Sequence, residues 1–238
     1  MVDEIVKKFK ETKGTKRLLY EAEQDPGFIA MRIFDDYPTY EVRKGILGIW
    51  LERVRPIYPW QADWIETRIQ DLRKEERETQ HRFWPDCFWK DLLGWYVFNA
   101  TLQCVTRALE FAINITQQER FKEEFGYFYR SDILKIITGK IHQSPEIYSE
   151  APALKTFLGS FLEKGETYCD FTDPKRAVRC AVDVSDTSFL PQIEEIIHRL
   201  YNKRRNPDDF RERIEVAENL AFFRESKCFL EEALKTAK

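Results

Sequence analysis

From Trp89 to about Ile115 the sequence reads WKDLLGWYVFNATLQCVTRALEFAINI, and no other stretch limits the fold so tightly. At roughly 100° per residue, the polar residues Asn99, Gln103, Thr106, Arg107, Glu110 and Asn114 gather on one narrow stripe. The remainder is apolar, with Trp95, Tyr96, Phe98, Leu102, Val105, Leu109 and Phe111 spread around most of the circumference. Such a helix needs neighbours on nearly every side. The stretch therefore predicts a central, deeply buried helix over about 89–115, wrapped by others. Asn99, Gln103, Arg107 and Glu110 interrupt every window of about 20 residues, which argues against a bilayer crossing.

The flanking sequence supplies the wrapping helices. Residues 1–23 carry a weak helical pattern with many charges, stopped by Gln24-Asp25-Pro26-Gly27, and read as a candidate mobile arm; residues 24–238 read as a single all-α domain of about eight helices. Val42, Ile46, Ile49 and Trp50 recur at helical spacing over 40–54. The charged segment 61–84 places Ile65, Ile69, Leu72 and Phe83 on one face and so predicts a helix packed on one side only. A short helix is expected over 132–140, closed at Gly139. Leu154, Phe157, Leu158, Phe161 and Leu162 give an i, i+3, i+4 stripe. Segment 166–184 is ambiguous: AVRCAVDV alternates like a strand, but Thr172-Asp173-Pro174 resembles a helix start, and helix is favoured. Two helices close the chain, over about 190–203 and from Asn206 onward, the latter with Phe210, Ile214, Ala217 and Ala221 facing inward.

At 238 residues with 43% hydrophobic and 14% aromatic content, the chain can bury a substantial core. A net charge of −3 gives no overall attraction to nucleic acid or anionic membranes. Five scattered cysteines, with no Cys-x-x-Cys pair, suggest neither a disulfide framework nor a zinc finger, and the expected compartment is the reducing cytoplasm. All six tryptophans lie between positions 50 and 95, which reads first as a tryptophan-rich core and second as an aromatic surface for a partner.

Two Glu-x-x-His motifs, Glu78 with His81 and Glu195 with His198, place a carboxylate and an imidazole one turn apart. With Glu52 and Glu163 preceding them, the order resembles that of ferritin-like di-iron bundles, and the resemblance implies a metal-dependent oxidoreductase using Glu52, Glu78, His81, Glu163, Glu195 and His198. Side-chain direction opposes it. On a helical wheel each of these residues lies away from its helix's apolar face, whereas ligands in such bundles project into the core. Solvated faces are the reading the wheel favours, and no cofactor is expected.

Asn99, Gln103, Arg107 and Glu110 are the first candidates for a pocket, as a polar stripe in apolar surroundings. For nucleic acid, the features of note are Arg199, Lys203, Arg204 and Arg205, together with the aromatic run 124–130, which loosely echoes an RNA-recognition strand. No histidine has the Arg spacing that helical ribonucleases of the HEPN type show. Cys169 or Cys180 becomes a nucleophile only if folding brings a histidine to it. Gly-x-Ser-x-Gly, Walker-type and dinucleotide motifs are absent. The expected function is therefore non-catalytic: a subunit, adaptor or regulator working through contact with a protein partner or a second copy, without membrane or nucleic acid. The alternatives are the di-metal oxidoreductase and a helical RNA-binding or RNA-cleaving factor.

Overall fold

A computed structural model describes residues 14–52, 56–78, 88–117, 126–163, 172–205 and 210–236, and these are helical throughout apart from short connections. The all-α class expected from the sequence is what the structure shows. Two compact units divide the chain, Met1–Cys104 and Val105–Lys238. Among the described residues no helix is long and apolar enough to cross a membrane.

The first unit contains α1 (residues 14–24), α2 (Phe28–Asp36), α3 (Tyr40–Glu52), α4 (Pro59–Glu78) and α5 (Phe88–Asn99). The stripe read from α3 is correct: Val42, Ile46, Ile49 and Trp50 are all buried. Helix α1 docks where α3 has no side chain in the way. A Cβ at Gly45 would stand 2.5 Å from the Leu19 methyls, and Ala22 beside it is fully buried. Thus the described part of the N-terminal arm is packed; residues 1–13 lie outside the described residues.

Helix α4 buries more than the single face expected of it. Ile65, Ile69 and Leu72 are in the core as read, but so are Gln61, Arg73 and Glu76. The reason is the aromatic partner helix. Along α5, the Trp89 indole N–H donates to Glu76 Oε2 at 2.5 Å and the Tyr96 hydroxyl donates to Glu66 Oε1 at 2.8 Å, so carboxylates of α4 are drawn inward to satisfy buried donors.

The predicted single helix over 89–115 is two helices, α5 and, in the second unit, α6 (Val105–Gln117). Its interruption is set from a distance. Ile57 N–H donates to Asn99 O at 2.8 Å, and Thr101 N–H donates to Ile57 O at 3.1 Å. In a continuous helix Asn99 O would accept from residue 103 and Thr101 N–H would donate to residue 97. The Ile57 peptide takes over both groups, and the Cys104 thiol donates to Ile57 O as well, at 3.0 Å. The chain turns through 101–104 instead of continuing.

In the second unit, α6 is followed by α7 (Gly126–Gln143), a 3-10 turn (Pro145–Glu150), α8 (Ala153–Glu163), α9 (Thr172–Asp183), a 3-10 turn (Thr187–Phe189), α10 (Leu190–Arg205) and α11 (Phe210–Thr236). The ambiguous segment is a helix where it is described. As α9 it packs against α7, α8 and α11, and the small side chains Ala177, Cys180 and Ala181 let them approach. The α8 stripe is buried as read. Two readings are corrected. The short helix ending at Gly139 is instead α7, which runs through that glycine to Gln143; a mid-helix glycine costs only about 1 kcal/mol, and Ile133, Leu134, Ile137 and Ile141 are all buried around it. The face proposed for the last helix is also wrong: Ile214 is 47% exposed, Ala217 and Ala221 are exposed, and Val216, Leu220, Phe223 and Leu230 are inside. Alanines gain little by burial, so the stripe with Phe and Leu wins.

Candidate functional site

The tryptophans of the first unit do two jobs. Trp50 (α3) and Trp95 (α5) stack at 5.0 Å with 17° between their planes, while Phe34 and Trp64 close on Trp50 at 5.5 and 5.7 Å. The Trp50 indole N–H donates to Pro26 O at 2.7 Å, which fixes the turn between α1 and α2 over the stack. Asp25 holds that turn from the other side, its Oδ1 accepting from the N–H groups of Gly27 and Phe28 at 3.0 and 3.1 Å.

Beside this stack lies a cleft of about 310 Å³. Pro26, Gly27, Trp50 and Trp95 line it from within the unit, and Pro56, Tyr58, Trp60 and Gln61 line it from the segment that enters α4. That entry is capped by the Gln61 side chain. Pro59 occupies the first helical position, the Gln61 side-chain Oε1 accepts from Tyr58 N–H at 3.0 Å, and Gln61 N–H donates back to Tyr58 O at 2.9 Å. The cap leaves Tyr58 and Trp60 outward, 48% and 61% exposed. None of the described lining residues is charged. Trp95 is only 4% exposed, and its indole N–H is buried without a hydrogen-bond partner.

This site is not the one read from the sequence. Asn99 and Gln103 belong to the first unit and Arg107 and Glu110 to the second, because the helix that would have aligned them is interrupted. Asn99 Nδ2 donates to Trp95 O of its own helix at 2.9 Å, Gln103 is exposed in the turn, and Arg107 and Glu110 are exposed on α6. The cleft residues went unnoticed although the signal was present: PIYPWQ pairs a proline at the first helical position with a glutamine two residues on, and puts two large aromatics next to it.

Glu52, Glu163, Glu195 and His198 are exposed, and Glu195 pairs with Arg199 on its own helix. The Glu78 side chain and His81 lie outside the described residues. Among the described residues, no three His, Cys, Asp or Glu side chains come together to hold a metal ion. Of the basic cluster, Arg199 is engaged by Glu195 and Lys203 is exposed; the side chains of Arg204 and Arg205 are outside the description. The run 124–130 is no strand where it is described: Gly126 opens α7, and Arg130 donates to Ser160 while lying over the Phe161 ring at 4.5 Å.

Cys180 is buried in α9, where burial first and the nearby Asp183 second push its thiol up to about 12. His142 meets Asp183 at 3.1 Å instead, so this thiol has neither the base nor the ionisation of a nucleophile. Cys169 is outside the described residues.

One polar cluster ties the second unit's connections. Asp186 Oδ1 accepts from Ser188 N–H and Oγ at 3.0 and 2.6 Å, and Oδ2 accepts from the Tyr148 hydroxyl at 2.7 Å, with Lys155 Nζ 3.9 Å away. Burial alone would raise the Asp186 carboxyl, but the Ser188 and Tyr148 hydrogen bonds and the Lys155 charge together hold it below its ordinary value of 3.8. A depressed folded-state value stabilises the fold above the unfolded value, and that stability is lost as pH falls through the folded one. The expected result is that Asp186→Asn costs most above about pH 4 and that the gap to the native chain narrows in more acidic solution. Urea midpoints at neutral and strongly acidic pH check this; a gap that widens in acid refutes it.

No protein-family model, curated protein or solved structure matches this chain.

Proposed function

We propose that the chain works by binding another protein, and that the aromatic cleft of the first unit seats a segment of that partner. The observation that carries this is the exposure of two large aromatic side chains that line the cleft. Tyr58 and Trp60 line it at 48% and 61% exposed. Exposed apolar groups gathered beside a rigid, buried floor are what a docking surface needs, and tryptophan and tyrosine are the side chains that most often dominate such contacts. The stack beneath keeps the walls fixed, so little ordering is required on binding.

Selection of random displayed dodecapeptides on the full chain tests the reading. Peptides should be enriched on the native protein and lose at least tenfold in affinity on Trp60→Ala, a truncation at an exposed position that leaves the stack intact. Failure to enrich any peptide, or enrichment indifferent to Trp60, refutes it.

A further inference from the structure

The Ile57 peptide ends α5 although nothing in the sequence that follows requires the helix to stop. Ala100 N–H still donates to Tyr96 O at 3.0 Å, so helical bonding runs up to the clamp. Beyond it come Thr101, Leu102, Gln103 and Cys104, with neither glycine nor proline among them. Each bond that Ile57 makes has a helical replacement. Once released, Asn99 O accepts from Gln103 N–H and Thr101 N–H donates to Val97 O. Backbone hydrogen bonding is therefore nearly balanced between a clamped and an extended α5, and side chains decide between them. Ile57, 1% exposed, favours the clamp; Leu102 stands 74% exposed in the turn that the clamp imposes. The Cys104 thiol lies under the clamp, 1% exposed and donating to Ile57 O at 3.0 Å.

The clamping segment is also part of the cleft. Pro56 and Tyr58, on either side of Ile57, both line it. Their anchors differ. Tyr58 is tied to α4, its N–H donating to Gln61 Oε1 and its carbonyl accepting from Gln61 N–H. Ile57 is tied to α5 alone through its backbone. When Ile57 lets go, Tyr58 is the fixed end and Pro56 is the wall that leaves. A cleft occupant touching Pro56 therefore meets it only in the closed setting seen here. A ligand that binds one of two settings shifts the balance toward that one, by as much as its affinities differ.

We propose that Ile57 is a latch with two settings, closed on Asn99 and Thr101 or open with α5 extended through Gln103, and that occupancy of the aromatic cleft holds it closed. The second half rests on the reading of the cleft as a docking site; the latch itself does not.

Labelling of Cys104 by N-ethylmaleimide in the full chain, followed by peptide mass spectrometry, reads the latch, with the buried Cys180 of the second unit as control. Ile57→Ala keeps both backbone groups and loses the buried side chain. It should speed Cys104 labelling about tenfold, leave Cys180 protected and move the α-carbon shifts of Thr101, Leu102 and Gln103 toward helical values. An unchanged rate, shifts toward coil or equal exposure of Cys180 overturns the latch. Should that variant not fold, Leu102→Gly at its exposed position disfavours the extended helix and should slow labelling about fivefold. Faster labelling would mark simple fraying and overturn it too. A dodecapeptide selected on the native chain, at about ten times its dissociation constant, should slow Cys104 labelling roughly tenfold. An unchanged rate with bound peptide breaks the linkage while the docking site stands. If no peptide is selected, the docking reading falls and the linkage with it, and the Ile57 and Leu102 variants still decide the latch.

Discussion

Trp50→Ala lowers the unfolding free energy by about 4 kcal/mol, seen as a large fall in the urea midpoint with the slope unchanged. The substitution removes the ring against which Trp95 stacks and which Phe34 and Trp64 enclose, and the cavity cannot collapse without moving three other aromatic side chains. It also deletes the donor to Pro26 O, so the turn bearing one wall of the cleft loses its anchor. Trp50→Phe keeps most of the ring and loses that hydrogen bond, for an expected cost of about 1–2 kcal/mol. A Trp50→Ala chain within 1 kcal/mol of native would mean that the stack is not the foundation of the first unit. Since whole domains are stable by only about 5–15 kcal/mol, the expected loss should also release peptide from the cleft.

The second large effect is at Glu76. Glu76→Ala leaves the Trp89 indole N–H buried with no acceptor, and the expected loss is about 2–3 kcal/mol. Glu76→Gln retains an oxygen for the indole and should lose less than half as much. The comparison separates the loss of the charge from the loss of the side chain that carries the acceptor, because both variants remove the charge and only Glu76→Gln keeps the acceptor. Equal losses from the two would show that charge matters here and the acceptor does not. Trp89 lies under the Arg73 guanidinium, 5.8 Å from the ring centre, and the same ring therefore meets a cation on its face and an anion at its edge.

Where the sequence could be read, large apolar residues repeated at helical spacing, as Val42, Ile46, Ile49 and Trp50 do on α3 and Leu154, Phe157, Leu158, Phe161 and Leu162 do on α8. Those stripes carry enough transfer free energy to choose a face by themselves. On α11 two faces competed, and counting alanines as core chose the wrong one over Leu220 and Phe223. The polar stripe from Asn99 to Glu110 failed for a different reason. It presumed a continuous helix, and what ends α5 is a pair of hydrogen bonds to Ile57, over 40 residues earlier in the chain, which no local periodicity contains. The cleft lay between these cases. The proline and the capping glutamine were visible, but that Tyr58 and Trp60 would remain outside while Trp50, Trp89 and Trp95 went in depends on tertiary packing.

The Ile57 clamp also sets an order in time. A protein is made from its N-terminus, and domains fold as they emerge. Ile57 is therefore already part of the chain when Asn99 and Thr101 are joined to it, and the group that ends α5 is present when α5 forms. The run from Trp89 to Ile115 need never be displayed as one long, sticky apolar rod to chaperones or membranes. Its division is inherited from an older part of the same molecule.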